Sequence, residues 1–337
     1  MIIDAHAHLL PVPEIFSYRS MLQASNGNQG YNTRNAISED VIAKAATRNV
    51  ALMDEVGTDV QMLSPRPFML MHSNPNWRDV VAYAEVNNDC IAQTVKLYPD
   101  RFRGVGCLPQ TPHQPIEFVF DELDRIIDDL GFAGVMINPD PGEGTGAVPN
   151  FGDPYWYPLW ERLIEKDVPV HVHSAGCCGR ENYDEHFASE ESLAITSMAR
   201  ERVFERYPGL KMMISHGGGA VPYQFGRWQA FMDRRSKTYV KNGYPAYEPF
   251  LHTLKRFWFD TCIHYQPSLE LLFGLVGPER CMFGTERPGS ASSLDPATGR
   301  DLDDLKPVIE SMACIDHAGK QAVFEGNARS FFSRANL

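Results

Sequence analysis

Eight short runs rich in apolar and β-branched residues recur along the chain, and each is separated from the next by a longer stretch of helical character. The runs are MIIDAHAH (1 to 8), TDVQMLSP (58 to 65), RFRGVGCLP (101 to 109), FAGVMINP (132 to 139), VPVHVHS (168 to 174), LKMMISHG (210 to 217), RFWFDTCI (256 to 263) and RCMFGTE (280 to 286). Strands that alternate with helices in this way form a parallel sheet with crossover connections. Two of the helical patterns carry their own signals: SEDVIAKAATRNVALMDEV opens at a Ser38 cap, and IEFVFDELDRIIDDLG stops at Gly131. A length of 337 residues allows two ordinary domains or one large barrel. Eight repeats favour the barrel, so the expected fold is α/β, a single (β/α)8 TIM barrel over residues 1–337.

Two segments interrupt the rhythm. Residues 10–37 are rich in Asn, Gly, Pro and Ser and follow the first run, and GEGTGAVPNFGDP (142 to 154) follows the fourth. In a barrel both leave strand C-terminal ends, where active sites are built, so they are expected to be lid or wall loops and not domain linkers.

Charge and cysteine content narrow the function classes. A formal net charge of −12 argues against nucleic acid or an anionic membrane as partner, because both call for clustered Lys and Arg. An anionic small molecule is compatible if the pocket carries its own positive charge. The seven cysteines form no CxxC pair, and their odd number does not suit a complete disulfide framework, so reduced thiols in a cytoplasmic protein are expected. The chain shows no signal-like start and no apolar stretch approaching about 18 residues.

The first run poses the chemical question. Alternation along a strand puts Asp4, His6 and His8 on one face, with the two imidazoles roughly 7 Å apart. If the strands converge on one mouth, His6 and His8 end the first, His171 and His173 the fifth, His216 the sixth and Glu286 the eighth. His72, His113, His186, His252 and His317 fall elsewhere. Convergence of this kind points to a metal site. In HVH, His173 lies nearer the mouth, which leaves His171 as a packed or hydrogen-bonded residue behind it. Imidazoles with a carboxylate and no thiolate favour Zn(2+), with Mn(2+) or Fe(2+) as lesser candidates. Cys177 and Cys178 are read as ordinary loop thiols.

HxH in the first run, His173, SHGGG in the sixth and FGTE in the eighth together resemble the amidohydrolase superfamily, in the branch of aminocarboxymuconate semialdehyde and γ-resorcylate decarboxylases. LSPR (63 to 66), INPDPG (137 to 142), HGGGAVPYQFGR (216 to 227), FDTCIHYQP (259 to 267), LDPATGR (294 to 300) and FEGNARSFF (324 to 332) are similar to the 4-oxalomesaconate hydratases of that branch. The resemblance implies metal binding by His6, His8 and His173, and a polar catalytic role for His216. Most relatives carry a metal-binding Asp where this chain has Glu286, and glutamate there also marks the hydratases. The hydratase pattern places an arginine six residues further on. This chain has Ser292 at that position and Arg287 directly after the glutamate.

Hydration of a conjugated oxo-dicarboxylate or oxo-tricarboxylate is therefore the expected reaction. Zinc, His216 and Glu286 would carry the chemistry, with Glu286 either a ligand or a proton shuttle, and Arg66, Arg287, Asn138 and His264 would hold the substrate. Non-oxidative decarboxylation of a hydroxylated aromatic or carboxymuconate-type acid, and amide or lactone hydrolysis, stay open as alternatives. A homo-oligomer, with a dimer favoured, completes the expectation.

Overall fold

A computed structural model describes residues 1–25, 37–289 and 291–337. Its sheet has eight strands in sequential order: β1 Ile3–His8, β2 Val60–Ser64, β3 Phe102–Cys107, β4 Gly134–Ile137, β5 Val170–Val172, β6 Met212–Ile214, β7 Trp258–Asp260 and β8 Cys281–Met282. Every neighbouring pair is parallel. Backbone bonds from Ala5 N to Phe283 O (2.8 Å) and from Glu286 N to His6 O (2.8 Å) join the last strand to the first. The sheet thus closes on itself, and the eight expected strands form the expected (β/α)8 barrel.

The crossovers carry α1 Pro13–Ser25 and α2 Glu39–Val56, then α3 Trp77–Leu97, α4 Phe120–Asp124, α5 Tyr157–Glu165, α6 Tyr183–Arg200 with α7 Val203–Arg206, α8 Phe225–Lys241 with α9 Phe250–Leu254, and α10 Gln266–Val276. The Ser38 side chain accepts from Val41 N at the start of α2, and Gly57 (φ 71°) ends that helix by donating to Met53 O. The left-handed turn there is one that glycine adopts without a Cβ penalty.

One expectation needs correction. Residues 13–25 form a helix where a loop was expected, because Ile15, Tyr18 and Leu22 recur at helical spacing and bury one face. The Asn- and Gly-rich remainder of that segment, residues 26–36, lies outside the described residues. LDPATGR forms regular structure of its own. Leu294–Asp295 and Arg300–Asp301 pair as a small antiparallel hairpin, β9 and β10, whose turn is held by Asp295 accepting from Ala297 N and Thr298 Oγ1. The segment after β4 does run as turns and irregular backbone, as expected.

Strand residues such as Val135, Ile137, Val170, Val172, Met212 and Ile214 pack into the large apolar core shared with the helices. A smaller cluster joins Ile3, Met136, Met213 and Met282 to Phe331 and Phe332 near the C-terminus. Phe332 lies against Gly134 at the start of β4, so this cluster plugs the N-terminal end of the barrel. The opposite end is left for chemistry. Among the described residues, no helix is long and apolar enough to cross a membrane.

Asp4 braces the closure. Fully buried in β1, it accepts from Gln61 Nε2 (3.2 Å) in β2, from Thr285 Oγ1 (2.6 Å) and N (3.1 Å) after β8, and from His6 N (3.1 Å). Asp4→Ala would strand at least two buried donors, at about 1–3 kcal/mol each. Urea unfolding should show a loss of about 3 kcal/mol with an unchanged m-value. A loss below about 1 kcal/mol would mean that those donors find other acceptors.

Candidate functional site

The strand C-termini bring His6, His8, His173 and Glu286 together, with one ligand atom from each lying within 4.8 Å of the others. All four are buried. The histidines are held by bonds on their outward nitrogens. His6 Nδ1 lies 2.6 Å from Asp260 Oδ2, and His173 Nδ1 lies 2.6 Å from the carbonyl of Ser174. His8 Nδ1 lies 2.9 Å from Ser64 Oγ, which gives its own proton to Ala7 O (3.0 Å) and so accepts from the ring. In each case the partner accepts, so Nδ1 carries the hydrogen and Nε2 presents a lone pair inward.

Burial, the largest influence, lowers the pKa of His6 and His8 and drives that of His173 well below the ordinary value. The rings are therefore neutral at pH 7. His6 Nε2 and His8 Nε2 stand 3.2 Å apart, and His173 Nε2 has no hydrogen-bond partner. Converging lone pairs repel unless a cation lies among them. Three imidazole nitrogens and a carboxylate oxygen, each ring braced from behind, fit a divalent metal.

Glu286 Oε1 is 3.8 Å from His8 Nε2, and its Oε2 is 3.9 Å from His216 Nε2. His216 Nδ1 in turn contacts Glu191 Oε1 and Oε2, at 2.9 and 3.0 Å. Burial opposes charge on both His216 and Glu286. Glu191 and Glu286 outweigh it and hold the His216 imidazolium well above its usual pKa, while His216 holds Glu286 well below its own. The buried Glu191 is pushed up to about 7, with His216 working the other way. For the Glu191–His216 pair the direction that stands is a proton retained between them, on His216.

The other expected residues are placed unequally. Arg66 faces Glu286 and Tyr183, and its Nη2 donates to Pro288 O (2.7 Å) while its buried Nε has no partner. His264 senses the Glu286 charge, and its Nδ1 is buried without a partner. Arg287 is not brought to the cluster. Its guanidinium is taken by Asp303 (2.6 Å), Asp301 (2.9 Å) and Glu55 (3.5 Å). The cause lies in Glu286, whose φ of 59° turns the chain so that the next side chain leaves the mouth. Asn138 is also committed elsewhere, its side chain bonded at both ends to the backbone of Asp140. His171 bonds Ser215 Oγ (2.8 Å) behind the cluster, as expected.

Sequence reasoning missed Asp260, Glu191 and Ser64. Asp260 ends β7 and could have been found by the same strand-end rule that found the histidines. Glu191 gave no signal, because a glutamate inside SEESL reads as a solvated helix face. Tyr183 and Phe187 of α6 were missed too; Phe187 lies 4.4 Å from the His216 ring and 5.0 Å from that of Tyr183, centroid to centroid, which gives the cluster an aromatic wall.

The amidohydrolase family model matches residues 3–334. The 2-keto-4-carboxy-3-hexenedioate hydratase of Sphingobium sp. (strain NBRC 103272 / SYK-6) is 33% identical over 341 residues, covering 99% of this chain and 96% of that protein. The 2-amino-3-carboxymuconate-6-semialdehyde decarboxylase of Dictyostelium discoideum is 30% identical over 282 residues, covering 81% and 72%. The crystal structure of 4-oxalomesaconate hydratase from Rhodopseudomonas palustris superposes with a TM-score of 0.85 at 28% identity, covering 99% of this chain and 96% of that one. A dihydroxybenzoic acid decarboxylase from Polaromonas sp. JS666, solved with bound manganese, shares the fold at a TM-score of 0.71 and 23% identity, covering 100% and 98%. A family match that runs nearly end to end, over a barrel whose strand ends gather three histidines and a carboxylate, establishes that the chain belongs to the amidohydrolase family of enzymes.

Proposed function

We propose that this enzyme is a metal-dependent hydro-lyase that adds water across the conjugated C=C bond of an oxo-dicarboxylate or oxo-tricarboxylate such as 4-oxalomesaconate. The observation that carries this reading is the opposed pair of Glu286 and His216 at the mouth of the histidine cluster, in a chain similar over nearly its whole length to two hydratases. Zinc is the metal that the donor set favours, with manganese next, the ion bound in the Polaromonas decarboxylase. When bound, the metal would supply Lewis acidity and lower the pKa of water.

Hydration needs a base for the attacking water, an acid for the adjacent carbon, and a donor to the oxygen on which charge develops. Glu286, ionised and able to present to the mouth the oxygen that a metal would leave unbound, is the base. His216 holds a proton at Nε2, directed into the mouth because Glu191 occupies Nδ1. That proton is suited to the carbon or to the developing enolate oxygen. Arg66 offers an unpartnered Nε–H to a substrate carboxylate, and Phe187 and Tyr183 exclude bulk water. The net change is balanced: one O–H bond of water breaks, a C–O and a C–H bond form, and the C=C π bond is lost.

Three outcomes test the reading. Purified, metal-loaded enzyme given 4-oxalomesaconate should bleach the conjugated absorbance without releasing CO2; stoichiometric CO2 from a carboxylated aromatic or muconate-type substrate, with no hydration, would make the enzyme a decarboxylase like its Dictyostelium relative. His173→Ala should bind metal at least on the order of 10–100-fold more weakly, read by elemental analysis after dialysis. Full metal occupancy in that variant would remove His173 from the ligand set. Glu286→Gln should lose on the order of 10²- to 10⁴-fold in kcat with KM little changed, if the carboxylate acts as base. A loss of metal in Glu286→Gln, with rate restored by excess metal, would instead make it a ligand.

A further inference from the structure

We propose that Asp140, His186 and Glu190 form a second divalent-cation site, at the seam between the loop that follows β4 and the first turns of α6. None of these residues belongs to the His6, His8, His173 and Glu286 cluster. One ligand atom from each of the three lies within 4.8 Å of the others.

Each member is set in place by contacts that leave the centre open. Asp140 is buried, with Oδ1 accepting from Gly142 N (3.0 Å) and Oδ2 from Gly144 N (2.6 Å), so the loop backbone fixes the carboxylate plane. His186 is 1% exposed, and its Nδ1 lies 3.3 Å from Glu181 Oε2. That contact leaves Nε2 aimed at Asp140 Oδ2 from 3.6 Å, with no hydrogen-bond partner. At 3.6 Å the two atoms are too far apart for a hydrogen bond. A gap of that size between a ring nitrogen and a carboxylate oxygen is one that an ion can span, since metal–nitrogen and metal–oxygen bonds each run about 2.0–2.2 Å.

The surroundings supply room and negative charge. A cavity of about 270 Å³ opens on Asp140, Glu181 and Glu190, with space for water ligands to complete the shell. Burial and the neighbouring charges of Asp140 and Glu181 push the Glu190 carboxyl up to about 7, the condition of an acidic cluster that a cation would relieve. One imidazole with two carboxylates suits manganese or zinc, and is poorer in oxygen ligands than calcium demands. Cys177 stands close by, one ligand atom each of Cys177, Glu181 and His186 lying within 4.8 Å of one another.

Such an ion would tie the loop to α6, whose next residue, Glu191, holds His216. The role is positional. The test uses the full chain with its first site filled by an equivalent of Zn2+, titrated with MnCl2 while free Mn2+ is followed by electron paramagnetic resonance. The wild type should take up a further equivalent. Glu190→Gln and His186→Ala should bind it at least on the order of tenfold more weakly while retaining the zinc. Should the buried His186→Ala lose its zinc as well, Glu190→Gln, an isosteric change at a partly exposed position, decides. Saturation of the wild type at the first equivalent, or undiminished Mn2+ uptake by Glu190→Gln, would overturn the proposal.

Discussion

The contact between Asp260 and His6 organises the mouth of this barrel. Asp260 is fully buried at the end of β7, where an unpaired carboxylate would be costly. It stays ionised because donors surround it. Oδ2 takes His6 Nδ1 at 2.6 Å, and Oδ1 takes Gly217 N at 3.0 Å and Cys262 N at 3.1 Å. Burial opposes its charge, yet His6, with help from the charge on His216, holds its pKa down at about 2. One side chain thereby fixes the tautomer of His6 in β1 and the backbone turn at His216 after β6. The barrel must close for this to happen, because β1 and β7 meet the same mouth only when β8 lies between them.

Three residues at the strand ends occupy the left-handed backbone region without being glycine: His216 (φ 50°), His264 (φ 54°) and Glu286 (φ 59°). Such a conformation costs about 1–3 kcal/mol for each residue and persists only where the surroundings enforce it. Here it turns the chain sharply two to four residues after each strand ends. His216 and Glu286 are thus held facing each other, and Gly217, Gly218 and Gly219, all at positive φ, let the chain leave. A Cβ at Gly218 would meet the Phe259 ring at 2.8 Å, so glycine is required there for space as well as for φ.

The barrel and the inward histidines were legible because strand periodicity and strand ends are local properties of sequence. His6, His8 and His173 lie where alternation and the end of an apolar run put them. The same logic would have found Asp260, had carboxylates been followed as closely as imidazoles. Arg287 was illegible for the opposite reason. Its nearness to Glu286 in sequence was taken as nearness to the mouth, whereas a single left-handed residue sends it to Asp301 and Asp303 on and beyond β10. Glu191 could not be found, since nothing in SEESL distinguishes a glutamate that meets His216 from one in water. Helix α1 was hidden because the Asn and Gly of residues 26–36 dominated the composition of its segment.

A chain of net charge −12 can still hold a small anion, and distance explains how. Surface charges are screened over about 8 Å at physiological ionic strength, so most of the excess acid has little reach into the mouth. Charges within the mouth act through a poorer dielectric and count for more. There the protonated His216 and the partly buried Arg66 oppose Glu286, Glu191 and Asp260. These side chains alone come to two positive against three negative, and leave no surplus to attract an anion. Because burial keeps His6, His8 and His173 neutral, they cannot supply it. A divalent ion among them can, which makes the cluster an electrostatic requirement for binding an anion as well as a source of Lewis acidity.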